Sequence, residues 1–122
     1  MNTMRRILAG LALALLIASP VLGKAGASIT APNGLSFGDT FSVTITEPRH
    51  YAGGLFTHLF CLANPTSQGT AVLQESWSSS GTFTLGPTPS WSGGGADCTV
   101  TLQSHNGGKV TDYASDDFIV TP

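Results

Sequence analysis

The side chains here that could carry chemistry are few: two cysteines, three histidines, seven carboxylates and a scatter of aromatic rings. Cys61 lies in Leu55-Phe-Thr-His-Leu-Phe-Cys-Leu-Ala63, and Cys98 in Ala96-Asp-Cys-Thr-Val-Thr-Leu-Gln103. Two thiols can serve as nucleophiles, as part of a metal site or as a disulfide. An even count beside export signals favours the disulfide, and Cys61–Cys98 is the single pairing open within the chain. Zinc needs more thiolates than two, and His50, His58 and His105 are poorly spaced to complete a site. Closing a loop of about 37 residues stabilises the fold by roughly 3 to 4 kcal/mol through the unfolded state.

Catalysis finds no support in the pattern. Serine is plentiful, yet no Gly-x-Ser-x-Gly elbow occurs. None of the three histidines has a signature nucleophile beside it, so a non-enzymatic chain is expected. Asp112, Asp116 and Asp117 cluster near the end of the chain, and Asp39 and Asp97 could join them in space. Such carboxylates suit calcium, but no EF-hand loop is present. They read as solvated acids flanking a strand, and no cofactor is expected.

The elements that position these residues begin after a leader. Two arginines precede the apolar run Ile7–Ala18, Ser19-Pro20 breaks it, and Ala25-Gly26-Ala27 supplies small residues for cleavage. This is the layout of a secretory signal peptide over residues 1–27. Lys24 stands where a lipoprotein box would need cysteine, and the residues around Arg5-Arg6 fit a twin-arginine signal poorly. The run is short for a membrane span. The expected product is a single domain, residues 28–122, secreted or periplasmic, with no stable membrane insertion after cleavage. It keeps two permanent cations, Arg49 and Lys109, against seven acids, a net charge of −5. So acidic a surface disfavours nucleic acid and anionic membranes as partners.

The remainder is β-rich runs divided by Gly, Pro, Asn and Ser clusters, with no sustained helical spacing. Thr40–Thr46 alternates cleanly, with Phe41, Val43 and Ile45 on one side. Ser28–Ala31, Leu55–Ala63, Thr70–Trp77, Thr82–Leu85 and Ala96–Gln103 also read as strands. Asn64–Gly69 reads as a turn, and Asn106-Gly107 suits a tight hairpin. Val110–Tyr113 and Asp117–Thr121 make a last strand or a broken pair. Two packed antiparallel sheets follow from this spacing, with a small closed barrel as runner-up.

Period-two geometry sets up a problem on the first cysteine strand. If Cys61 points inward with Leu55, Thr57, Leu59 and Ala63, then Phe56, His58, Phe60 and Leu62 point outward. An outward apolar set on an open face marks a binding surface. Two bland outcomes compete with it: a bulge that rotates half the strand inward, or a cover formed by Trp91 and the loop Gly86–Gly95. Trp91, Tyr51, Trp77 and Tyr113 could stack on a sugar, although Trp91 could equally plug an end of the core.

The Phe37-Gly38-Asp39 strand entry, the segment Trp91-Ser-Gly-Gly-Gly-Ala-Asp-Cys98-Thr-Val-Thr-Leu102 and the closing Phe118-Ile-Val-Thr-Pro122 resemble bacterial secreted immunoglobulin-like modules. The resemblance implies a binding or structural role and carries over no catalytic residue. One departure stands out: antibody domains bridge their two sheets with the disulfide, whereas Cys61 and Cys98 fall on strands that would be neighbours in one sheet. The expected fold is therefore all-β, an immunoglobulin-like antiparallel β-sandwich of about seven strands with one disulfide. The expected function is binding of a protein through Phe56, His58, Phe60 and Leu62; the alternative is a surface glycan or small ligand at loops around Trp91 and Tyr51.

Overall fold

The computed structural model describes residues 22–63 and 71–122. The apolar leader run and the turn expected at Asn64–Gly69 lie outside the described residues. Among the described residues eight strands follow one another: β1 (Ser28–Thr30), β2 (Thr40–Ser42), β3 (Thr44–Thr46), β4 (Gly54–Ala63), β5 (Val72–Ser78), β6 (Thr82–Thr84), β7 (Ala96–Asn106) and β8 (Lys109–Val120). The four long strands form one antiparallel sheet in the order β5-β4-β7-β8. The short strands form two antiparallel ladders, β1 with β3 and β2 with β6.

The count of eight differs from about seven because the run Thr40–Thr46 changes neighbours at its midpoint. Val43 N–H donates to the Gly81 carbonyl at 3.0 Å, in register with the β6 pairs, and the next residue pairs with β1. Residues before it pair with β6, where Thr40–Thr84 and Ser42–Thr82 hydroxyls meet at 2.8 Å each. Residues after it pair with β1. The hydrophobic alternation survives the switch: Phe41 is buried, and Val43 and Ile45 pack against the core.

The core lies between the long sheet and the short strands. Leu59, Cys61, Val100, Leu102 and Val120 from the sheet meet Ile29, Phe41, Phe83 and Leu85 in one cluster. Phe41 contacts Phe118 edge-on with ring centroids 5.5 Å apart, which ties the layers together. The arrangement is sandwich-like, and the short ladders do not close onto the sheet as a barrel would. At the β5 edge the Gln74 side chain spans the layers. Its amide donates to the Thr84 carbonyl at 2.9 Å and accepts Gly86 N–H at 2.8 Å.

Cys61 and Cys98 are directly opposite on β4 and β7, with Cα atoms 4.1 Å apart, and their sulfurs are joined. The expected pairing is observed, and it lies within one sheet. The β7–β8 hairpin turns one residue later than Asn106-Gly107, because Asn106 still pairs with Lys109. The turn is Gly107-Gly108, with φ of 58° and 86°; two successive positive φ angles favour residues without a Cβ. The last strand is continuous over 12 residues. A bulge leaves Tyr113 unpaired between Asp112 and Ala114, and its ring turns inward to meet the Ser104 hydroxyl at 3.1 Å. Among the described residues no helix is long and apolar enough to cross a membrane.

Because the disulfide acts on the unfolded chain across a separation of 37 residues, the Cys61→Ala/Cys98→Ala variant should lose roughly 3 to 4 kcal/mol of stability. Denaturant unfolding of wild type and variant measures it, and reductant should lower the midpoint of wild type alone.

Candidate functional site: the open face of the long sheet

Strand β4 keeps its register with β7 from Gly54 to Ala63. Its alternation is therefore undisturbed: Thr57, Leu59 and Cys61 are buried, and Phe56, His58, Phe60 and Leu62 face outward, half-buried. The register irregularity between Cys61 and Leu62 occurs on the β5 side, where Leu73 is the extra residue. No rotation of β4 hides its outer face. Trp91 does not cover it either, because its ring sits in the core against Phe37, with centroids 5.1 Å apart.

Cross-strand pairing carries the face outward on both sides. Trp77, Glu75 and Val72 of β5 lie opposite His58, Phe60 and Leu62. On the other side come Asp97, Thr99, Thr101 and Gln103 of β7, and beyond them Ser115, Asp117 and Ile119 of β8. Six large apolar side chains stand out as exposed among the described residues: Leu22, Tyr51, Val72, Trp77, Val110 and Ile119. Four of them are on this one face, with Trp77 at 53% and Ile119 at 69% exposure. Between Phe60, Leu62 and Ile119 runs an open groove of about 480 Å³, floored by Thr99 and edged by Asp97 and Asp117.

The rings form an ordered set. His58 lies against Trp77 at 4.8 Å and stacks with Phe60 at 6.0 Å between centroids. Phe56 contacts His105 at 5.0 Å. His58 Nε2 meets Glu75 Oε2 at 2.7 Å, which fixes the imidazole between its two aromatic neighbours. His105 and Asp112 are bridged by the Gln103 amide, with both bonds at 3.0 Å. Thr99 donates its hydroxyl to Asp117 at 2.7 Å. The face is acidic, carrying Glu75, Asp97, Asp112 and Asp117, while Lys24, Arg49 and Lys109 all lie off it.

Two of the other three acids serve the fold. Asp116 accepts Ala31 N–H at 2.8 Å, and Asp39 accepts Ser36 N–H at 2.8 Å. Among the described residues no group of three or more His, Cys, Asp or Glu is placed to hold a metal. Of the loop aromatics, Trp91 is 1% exposed and donates its indole N–H to the Gly94 carbonyl at 3.1 Å. That ring offers no surface for stacking. Tyr113 is buried, whereas Tyr51 is exposed beside Glu47. Trp77 is the ring that sequence reasoning left apart from the β4 set. Its two-residue spacing from Glu75, on a strand paired with β4, is the signal that places both on this face.

Three comparisons, with protein-family models, with curated proteins and with solved structures, each found no match to this chain.

The two tryptophans should behave oppositely. Acrylamide should quench the Trp77 fluorescence and spare Trp91, so Trp77→Phe removes the quenchable fraction. Trp91→Ala should cost about 3 to 5 kcal/mol in denaturant unfolding, and Trp77→Ala within about 0.5 kcal/mol. The Glu47 carboxylate disfavours a second negative charge beside it, which holds the Tyr51 phenol above its ordinary range, with desolvation and their hydrogen bond adding to the effect. In a Tyr113→Phe background, alkaline ultraviolet titration should show Tyr51 ionising later than free tyrosine. Glu47→Gln should bring that transition to lower pH.

Proposed function

We propose that this chain is an exported, non-enzymatic binding module that holds a protein on the open face of its long sheet. The observation that carries the reading is the concentration of exposed apolar side chains there: Val72, Trp77, Val110 and Ile119 share the face with the outward ring set of β4. Exposed apolar area gathered in one place, and rimmed by polar groups, is the mark of an interaction surface. The acids around it favour a partner that inserts apolar anchors and surrounds them with lysine or arginine. The same acids disfavour nucleic acid, whose phosphates would meet Glu75, Asp97, Asp112 and Asp117.

The fold proposed to accompany this role is immunoglobulin-like, supported by a layer in the order β5-β4-β7-β8 facing the short strands β1, β2, β3 and β6. The disulfide favours an oxidising compartment, as expected for a secreted or periplasmic protein. The non-enzymatic reading rests on the sequence, where no nucleophile signature accompanies any histidine. His58 bonds Glu75 and its ring faces Trp77 and Phe60, which orders the face proposed for binding.

A second reading, a glycan on this same face, draws on Trp77. A half-exposed indole beside Glu75 and His58 offers a stacking plane with hydrogen-bonding groups at its edge. The original glycan site around Trp91 loses its principal ring to the core.

The Trp77→Ser/Ile119→Ser double variant tests the proposal. It should unfold at the same denaturant midpoint as wild type, since both side chains are largely exposed, while losing at least tenfold in partner capture from the native secretome. Capture that is unchanged in the variant would remove this face from the function. A tryptophan fluorescence response to a sugar panel, absent in Trp77→Phe, would favour the glycan reading instead.

A further inference from the structure

The small residues Ala25-Gly26-Ala27 match the pattern at the end of a leader, and from sequence the cut falls after Ala27. In the structure these residues belong to the folded domain. Lys24–Gly26 makes one 3-10 turn, closed by a hydrogen bond of 3.1 Å from Ala27 N–H to the Lys24 carbonyl. Arg49 N–H donates to the Ala25 carbonyl at 2.9 Å. Ala27 is 0% exposed and sits in the core cluster with Ile29 and Ala31.

A cut after Ala27 would undo all of this. It would remove a buried apolar residue and leave Arg49 N–H without its acceptor. It would also place a new ammonium on Ser28, which is 9% exposed and paired with Thr46 in β1. An unpaired charge held away from water is strongly unfavourable.

We infer that the leader is cut between Gly23 and Lys24, so that the mature chain begins Lys24-Ala-Gly-Ala-Ser28. The inference rests on the export reading. Val21 and Gly23 put small side chains at the third and first positions before that bond, just beyond Pro20, which breaks the apolar run. Lys24 is exposed, so its new ammonium stays in water. The Ala27–Lys24 and Arg49–Ala25 bonds then lie wholly within the mature chain. One bond is given up, Gly23 N–H to the Ala27 carbonyl at 2.7 Å, and a cut after Ala27 would lose that bond as well as the others. The mature domain gains a third cation, which makes its charge −4 from three cations and seven acids. Lys24 also brings its side chain to a cleft of about 650 Å³ bordered by Arg49, His50, Tyr51 and Tyr113.

The test is to produce the full chain with its own leader in a bacterial host, recover the exported protein, and read its first residues and intact mass. A chain beginning at Lys24 is expected. A chain beginning at Ser28, or at any other residue, overturns the inference and leaves export intact. Uncut protein of residues 1–122 overturns the export reading and the inference with it. Gly23→Leu supplies a second readout. It should block processing and accumulate precursor, whereas normal processing of that variant would place the cut elsewhere.

Discussion

The pairing of β4 with β7 is the constraint on which the rest of the molecule depends. It runs unbroken for ten residues of β4 and is covalently fixed near one end by Cys61–Cys98. Side chains in a strand alternate strictly, so one fixed pair determines the side taken by every other residue on both strands. Cys61 inward sends Leu59 and Thr57 into the core and His58, Phe60 and Leu62 out. A slip of β4 by one residue against β7 would bury His58 and expose Leu59. The staple and the core therefore support the same register, and the outer face follows from both.

The composition of the two faces explains why the domain can keep an unusual outer surface. The inward residues are mainly apolar, from Ile29 and Phe41 through Leu59 and Val100 to Val120, with Thr57 and Ser104 as buried polar members. That core, with the disulfide, supplies the main part of the stability, and the half-buried cross-strand pairs of the outer face add to it. Its polar groups are arranged in pairs, His58 with Glu75, Thr99 with Asp117 and Gln103 with Asp112. Each pair limits the rotamers of its members, so the partner proposed for this face would cost it less conformational entropy.

Much of this was legible in the residues themselves. The alternation in Thr40–Thr46 and in the two cysteine strands identified their inward sides, and the spacing of strands placed Cys61 and Cys98 on neighbours. What stayed hidden depends on distant contacts. Nothing local in Thr40–Thr46 announces that pairing with β6 ends at Val43 and pairing with β1 begins at Thr44, and so the partner switch was invisible. Asn106-Gly107 and Gly107-Gly108 are both acceptable turns; the pairing of Asn106 with Lys109 decides between them. Trp91 and Trp77 have similar sequence surroundings, each among serines. Only the packing of Phe37 shows that Trp91 is enclosed, and only the register of β5 shows that Trp77 is not. Ala25-Gly26-Ala27 satisfies two rules at once, small enough for a peptidase and small enough for a tight turn against Arg49.

The side-chain amide of Gln74 has a consequence for how these molecules meet one another. By presenting a donor to the Thr84 carbonyl and an acceptor to Gly86 N–H, it imitates a short piece of backbone laid beside the end of β6. Those two main-chain groups are the ones an incoming strand would need to begin a ladder there. With both occupied, that margin of the domain resists being lengthened by a foreign chain. Open-ended strand addition of the kind that leads to fibres is thereby disfavoured at that margin.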